Sequence, residues 1–227
     1  MKTTSFPTYS DKLKTIQEDL SENQSLLIVS KGRTLDEIKA YYDLGHRHFG
    51  ENKVQELKEK SESLKKDCPD ICWHMIGHLQ SNKLNQLLEV HHLWAIHSVD
   101  DEELLKKLIK SSDKISTGLK VFLQFNTSGE QEKSGFEDYD SLISAAILML
   151  SSPSLKFFGL MTMGTFRTES FEKEAERCFQ ELNQLKMRLE EDLQVKLMTS
   201  MGMSQDYKIA LQNNANWIRL GTVMFYP

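Results

Sequence analysis

The chain has 227 residues, of which 39% are hydrophobic and 27% charged, and its formal net charge is −5. Low-complexity and collagen-like classes are excluded, and no apolar run approaches the roughly 18 residues of a membrane-spanning helix. The N-terminus lacks the apolar stretch of a secretory signal, and there are only three cysteines, so the sequence predicts a cytoplasmic protein. The negative charge disfavours non-specific nucleic-acid binding. We expect one domain over residues 1–227.

Eight short apolar runs, rich in β-branched and aromatic residues, predict buried strands. They are Leu26–Ser30, His48–Gly50, Cys72–Ile76, Leu93–Ser98, Leu119–Asn126, Leu155–Met163, Val195–Ser200 and Trp217–Gly221. The second run is too short to identify a strand by itself.

Apolar residues at helical spacing lie between these runs and predict helices. In the first such segment, Thr34 and Glu37 form the pattern of a capping box, and Gly45 is a plausible helix stop. A further helical pattern, Tyr9–Leu20, precedes the first strand. A short helix also fits Gln205–Asn213.

Strands and helices that alternate in this way predict parallel strands joined by right-handed crossovers. Eight such units in this length match a compact (β/α)₈ TIM barrel, and an open doubly wound sheet is the alternative. The residues after the eighth strand, Thr222–Pro227, are too few for an outer helix. The extra N-terminal helix could fill that gap, which favours closure.

The first strand ends directly at Lys31. Barrel enzymes place their chemistry at the carboxyl ends of the strands. A lysine that emerges from a buried strand loses part of its hydration, which frees the neutral amine for Schiff-base chemistry. The alternative is a lysine that simply turns to solvent.

The loops after the seventh and eighth strands predict a phosphate site, as in many barrels. Ser204 offers a hydroxyl at the start of a helix, Gly221 allows close approach of the backbone, and Thr222 adds a second hydroxyl. Arg219 lies at the end of the eighth strand. An aldehyde-capturing lysine that faces a phosphate cradle and an arginine suits pyridoxal 5'-phosphate (PLP), which carries an aldehyde and a phosphate.

A metal site is a weaker interpretation. Cys68, Cys72, His74 and His78 have ligand chemistry, but their spacings match no standard zinc pattern. The sequence therefore predicts no metal.

Several motifs resemble the YggS/PROSC family of pyridoxal-phosphate-binding proteins, also called pyridoxal phosphate homeostasis proteins. The resemblance is carried by the stretches HFGENKVQE at 48–56, WHMIGHLQSNK at 73–83, SMGMS at 200–204 and RLGT at 219–222, with shorter matches between them. Gly32-Arg33 and the C-terminal Phe225-Tyr226-Pro227 depart from the family pattern.

The resemblance implies a barrel like the N-terminal domain of alanine racemase. It implies that Lys31 holds PLP as a Schiff base and that Asn52 lies near the cofactor. Phosphate would be bound by Ser204, Gly221 and Thr222. Arg219 would face the pyridine nitrogen and make the ring a weaker electron sink. The family is described as regulating cofactor supply, without an established catalytic activity.

Two functions follow from these expectations. The first is a monomeric, non-catalytic PLP carrier that serves apo PLP-dependent enzymes. The second is an amino-acid racemase, which needs two bases on opposite faces of the cofactor. Racemases of this fold take one base from an additional C-terminal domain and a partner chain, and we expect neither here. An aldolase that uses Lys31 on its own substrate is a third, weaker possibility.

Overall fold

The computed structural model describes residues 8–111, 114, 118–130, 132–164 and 170–226. The strands are β1 (Ser25–Val29), β2 (His48–Glu51), β3 (Cys72–Met75), β4 (Leu93–Val99), β5 (Leu119–Gln124), β6 (Leu155–Met161), β7 (Met198–Ser200) and β8 (Trp217–Leu220). The helices are α1 (Tyr9–Asp19), α2 (Leu35–Asp43), α3 (Val54–Leu64), α4 (Leu84–Leu88), α5 (Glu102–Lys110), α6 (Tyr139–Leu150), α7 (Phe171–Leu193), α8 (Tyr207–Gln212) and α9 (Thr222–Phe225). A 3₁₀ turn, Ser81–Lys83, leads into α4.

The eight strands form a closed parallel barrel in sequence order. β1 closes it against β8, where Leu26 pairs with Ile218 and Ile28 with Leu220. The closed barrel confirms the predicted (β/α)₈ fold and eliminates the open doubly wound sheet. In the described part of the chain, no helix is both long and apolar enough to cross a bilayer.

The helices begin and end largely where the sequence predicts. Thr34 and Glu37 form the predicted capping box at the start of α2, and Gly45, at a φ of +93°, follows its end. The helix predicted at Tyr9–Leu20 is α1, which buries Leu13 and Ile16 and packs against α2 and α9. One detail was not expected: the segment after β8, which is too short for a full outer helix, forms the single turn α9.

Two apolar cores result from this closure. The larger core lies between the barrel and its helices. The smaller core fills the barrel, and its buried members are Leu27, Ala95, Phe122, Met161 and Trp217. Such interiors are usually filled by bulky aliphatic side chains. Here three histidines share the space: His48, His74 and His97 contact one another and the interior rings of Trp217 and Phe122.

These interior histidines are packed against aromatic rings. The ring of His97 stacks on Phe122 with 4.2 Å between centroids, and His74 lies 4.7 Å from Trp94. Burial, with a contribution from the ammonium of Lys120, lowers the pKa of His48 to about 4. Burial also lowers the pKa values of His74 and His97 well below their usual range.

We therefore expect acid to destabilise the fold. In the unfolded chain histidine titrates near 6.5, so below that pH the unfolded state binds more protons than the native state and stability falls as pH falls. For His48 the loss runs from pH 6.5 down to about 4. It amounts to about 2 kcal/mol at pH 4.5.

Urea unfolding of His48→Gln at pH 7 and 4.5 measures this contribution. The variant should lose less stability on acidification than the wild type. The control is His91→Gln, which replaces an exposed histidine and should follow the wild type. Equal losses in all three proteins would show that His48 is not kept neutral by the fold.

Candidate functional site

The carboxyl ends of β1, β7 and β8 enclose a pocket of about 380 Å³ at the mouth of the barrel. Its lining residues are Val29, Lys31, Met203, Ser204, Gln205, Arg219, Gly221 and Thr222. Five of the six residues predicted to contact a cofactor therefore line one cavity. Asn52 does not: it lines a separate pocket of about 310 Å³ together with His78 and Lys83.

Lys31 stands at the end of β1, but its side chain is exposed rather than desolvated. The backbone before Lys31 is held by hydrogen bonds of its neighbour, Ser30. Ser30 is fully buried and donates a hydrogen bond from Oγ to Glu51 Oε1 at 2.6 Å. The Nζ atom of Lys60 donates to the Ser30 carbonyl at 2.8 Å and to Glu51 at 2.7 Å. This polar triad fixes the point from which Lys31 projects.

Glu51 is the buried carboxylate of that triad, and burial raises its pKa despite the ammonium of Lys60. The next residue, Asn52, passes close under the loop after β3. A Cβ at Gly77 would lie 2.2 Å from the carbonyl oxygen of Asn52, so only glycine fits there. The motifs HFGENKVQE and WHMIGHLQSNK are thus in direct backbone contact.

The loop after β7 turns at Gly202, whose φ of +90° lies in the region that favours glycine. Ser204 was predicted to open the following helix, and this was wrong. Asp206 precedes α8 instead, and its Oδ1 accepts a hydrogen bond from the Met203 N–H. The hydroxyl of Ser204 faces the Val223 N–H at 3.5 Å, because the two phosphate-loop candidates lie side by side.

Arg219 is buried at the base of the pocket, 4% exposed. Its Nη1 donates to Ser200 Oγ at 2.8 Å, and its Nη2 donates to the Thr162 carbonyl at 2.9 Å. Burial lowers its pKa to about 10, and the carboxylate of Asp206 partly offsets this. The guanidinium therefore stays charged at neutral pH, and both of these partners are neutral oxygens. An arginine that merely closes the mouth through a salt bridge would instead touch a carboxylate.

The side chains considered as metal ligands are dispersed. Cys68 lies in the outer core, and His74 bonds to other histidines. His78 donates from Nδ1 to Asp100 Oδ2 at 2.8 Å. The described residues contain no group of three or more His, Cys, Asp or Glu side chains that could hold an ion.

Known proteins share this architecture. The family described as alanine racemase, N-terminal domain, matches residues 8–227. A pyridoxal phosphate homeostasis protein of Mus musculus is 38% identical over 207 residues, which is 88% of this chain and 75% of the mouse protein. The protein of the same name in Caenorhabditis elegans is 36% identical and covers 88% of this chain and 84% of its own length.

The chain belongs to the family of pyridoxal phosphate homeostasis proteins. Among solved structures, PipY of Synechococcus elongatus, determined with PLP bound, is 30% identical with a TM-score of 0.85 over 96% of this chain and all of PipY. An alanine racemase of Clostridium difficile has a TM-score of 0.77 at 12% identity over 96% of this chain and 60% of the racemase. At that identity the racemase shares the fold alone.

The polar triad of Ser30, Glu51 and Lys60 was not predicted from the sequence. In the sequence, Glu51 is only one residue of the matching motif HFGENKVQE, and nothing links it to Lys60 on the following helix. A lysine four residues from Glu56 on an outer helix has no sequence signal for burial. The missed contacts join β1, β2 and α3, so only the fold reveals them.

We expect the triad to be essential for local stability. Lys60→Met leaves the buried Glu51 without its cation, and breaking a buried pair in this way costs about 3 kcal/mol or more. The matched control, Lys58→Met on the same helix, removes an exposed pair with Glu89 and should cost less than about 1 kcal/mol. Chemical denaturation of both variants makes the comparison. Similar small losses would mean that the triad does not hold the Lys31 backbone.

Proposed function

We propose that this chain binds PLP, holds it as a Schiff base on Lys31 and releases it to other proteins as part of PLP homeostasis. The observation that carries the proposal is the composition of the pocket. It combines one amine, two hydroxyl groups and a buried guanidinium within about 380 Å³. PLP has an aldehyde, a phosphate and an aromatic nitrogen, so each chemical part of the ligand meets a suitable group.

The fit extends to individual atoms of the chain. Lys31 would supply the amine for the aldehyde, with loss of water. Ser204, Gly221 and Thr222 would hold the phosphate with hydroxyl and backbone donors. Arg219 can only donate hydrogen bonds, so the lone pair of an unprotonated pyridine nitrogen suits it. The relative PipY, solved with PLP bound, supports PLP as the ligand.

Bound PLP supplies an aldehyde that captures amines and a ring that withdraws electrons. Two features of the pocket favour storage over turnover. The charge of Arg219 opposes protonation of the ring nitrogen, which weakens electron withdrawal. Racemisation needs two proton-transfer groups, and among the described lining residues Lys31 is the only amine, with no histidine, tyrosine, cysteine or carboxylate. The relatives that share the family are named for homeostasis, which also supports a non-enzymatic function.

The proposal also covers Asn52, the recipient proteins, the oligomeric state and the location in the cell. Asn52 directly follows β2 and would approach the cofactor from the separate pocket that it lines. The recipients would be apo PLP-dependent enzymes, and the carrier would act as a monomer. The three cysteines are free thiols, which suits a cytoplasmic location.

The Schiff base gives a direct test. Borohydride reduction of the loaded protein, followed by peptide mass mapping, should place the pyridoxyl group on Lys31. Lys31→Ala should lose the absorbance of the Schiff base, whereas Lys12→Ala, which changes a lysine in the adjoining pocket, should keep it. A pyridoxyl group found mainly on another lysine would contradict the assignment.

Delivery is tested with the same loaded proteins. Wild type mixed with an apo PLP-dependent enzyme should restore that enzyme's activity, and it should not interconvert amino-acid enantiomers by itself. Sustained racemisation that is lost in Lys31→Ala would favour the enzyme over the carrier. Failure to activate any apo-enzyme would remove the delivery function while leaving PLP binding in place.

A further inference from the structure

A continuous line of hydrogen bonds crosses the barrel interior and ends at Arg219. At the amino-terminal end of the barrel, Nδ1 of His48 lies 2.9 Å from Nε2 of His74. Nδ1 of His74 lies 2.9 Å from Nε2 of His97, and Nδ1 of His97 lies 2.9 Å from Oγ of Ser200. Ser200 Oγ accepts the hydrogen bond from Arg219 Nη1 at 2.8 Å. We call His48, His74, His97 and Ser200 the histidine line.

Arg219 fixes the direction of the whole line. A guanidinium only donates, so Ser200 accepts from Arg219 and is left with one hydroxyl proton to give to His97. The opposite direction would leave that buried proton without an acceptor among the described residues. His97 then accepts at Nδ1 and carries its own proton on Nε2, which it donates to His74. The same reasoning places a proton on Nε2 of His74 and of His48.

The line lies between two cations. Near the His48 end of the line, which we call the lower end, the Nζ atom of Lys120 lies 4.1 Å from the ring centroid of Trp94. Arg219 lies at the Ser200 end, which we call the upper end. Burial is the main cause that lowers the pKa values of the three rings, and both cations act in the same direction. All three histidines are therefore neutral near pH 7.

Other ionisable groups around the line do not reverse this balance. Burial lowers the pKa of His46 to about 4. Burial also raises the pKa of the Cys72 thiol, so the thiol stays protonated. Lys156 adds a further positive charge at the lower end. Asp206 acts on Arg219 at the upper end, and burial raises its own pKa.

We propose that the histidine line positions Arg219 for its ligand: it holds the guanidinium at Nη1 and, with the Thr162 carbonyl at Nη2, leaves the remaining N–H groups for the pocket. This proposal rests on the proposed function in taking the ring nitrogen of PLP as the acceptor. Hydrogen bonds in a chain polarise one another. A hydrogen bond that forms at Arg219 should therefore change the polarisation of the His97 ring and of the histidines that follow it.

The first test uses the protein without PLP. Nitrogen-15 NMR of the histidine rings should show His48, His74 and His97 neutral, with the proton on Nε2, between pH 6 and 8. Ser200→Ala removes the group that sets the direction, so Nδ1-protonated rings should appear. Ser98→Ala is the matched control, because this buried hydroxyl donates to the Gly77 carbonyl instead. A charged ring or an Nδ1 proton in the wild type would overturn the proposal.

The second test uses PLP. Loading should shift the ring nitrogens of His97 and leave those of the exposed His91 unchanged. Ser200→Ala should bind PLP roughly threefold to tenfold more weakly, Ser98→Ala should bind it normally, and Ser200→Thr, which restores the hydroxyl, should recover both affinity and tautomers. If Ser200→Ala fails to fold, the loading shift of His97 and the behaviour of Ser200→Thr still decide the question.

The two hypotheses fail in different ways. If the wild type binds no PLP, the proposed function fails, while the ring tautomers of the unloaded protein still report on the line. If PLP binds to Lys31 but loading leaves His97 unchanged and Ser200→Ala binds PLP normally, the positioning proposal is wrong and the proposed function stands.

Discussion

The structure depends on a buried guanidinium that is held by neutral oxygens. Arg219 donates to Ser200 and to the Thr162 carbonyl, and its own backbone N–H donates to the Gly202 carbonyl at 2.9 Å. A cation in this setting has lost much of its hydration, and among the described residues it forms no direct ion pair, although the carboxylate of Asp206 acts on it from a distance. The guanidinium can only donate hydrogen bonds, so the site suits a ligand atom that offers a lone pair.

The same contacts organise the pocket above it. Thr162 follows β6, Ser200 ends β7 and Arg219 belongs to β8, so one side chain ties three strands together at their carboxyl ends. The loops that continue from β7 and β8 carry Ser204 and Thr222 to the lining of the pocket. Anchoring Arg219 therefore also fixes the distance between the part of the pocket that suits a ring nitrogen and the part that suits a phosphate.

Much of this arrangement is predictable from the sequence. Buried barrel strands are recognisable as short apolar runs, and their order along the chain determines which strand ends lie together. The cluster of Lys31, Ser204, Arg219, Gly221 and Thr222 follows from that order. The length of each strand does not: the run Val195–Ser200 yields only the short β7, since its first residues lie outside the pairing with β6. Ser204 likewise does not open the helix that was expected to follow it, because α8 begins only after Asp206, two residues further along.

The interior histidines were not predictable, for a definite physical reason. His74 was weighed as a metal ligand beside Cys72, whereas its actual partners come from β2 and β4. Which inward side chains are in contact depends on the register between neighbouring strands. The sequence alone does not give that register. The same limit hid the triad of Ser30, Glu51 and Lys60.

The central claim is that Arg219 faces the ring nitrogen of bound PLP and keeps it unprotonated. The most direct measurement is the nitrogen-15 chemical shift of isotope-labelled PLP bound to the wild type and to Arg219→Glu at neutral pH. The account predicts an unprotonated ring nitrogen in the wild type and a shift toward the protonated form beside the carboxylate. A ring nitrogen already protonated in the wild type would contradict it.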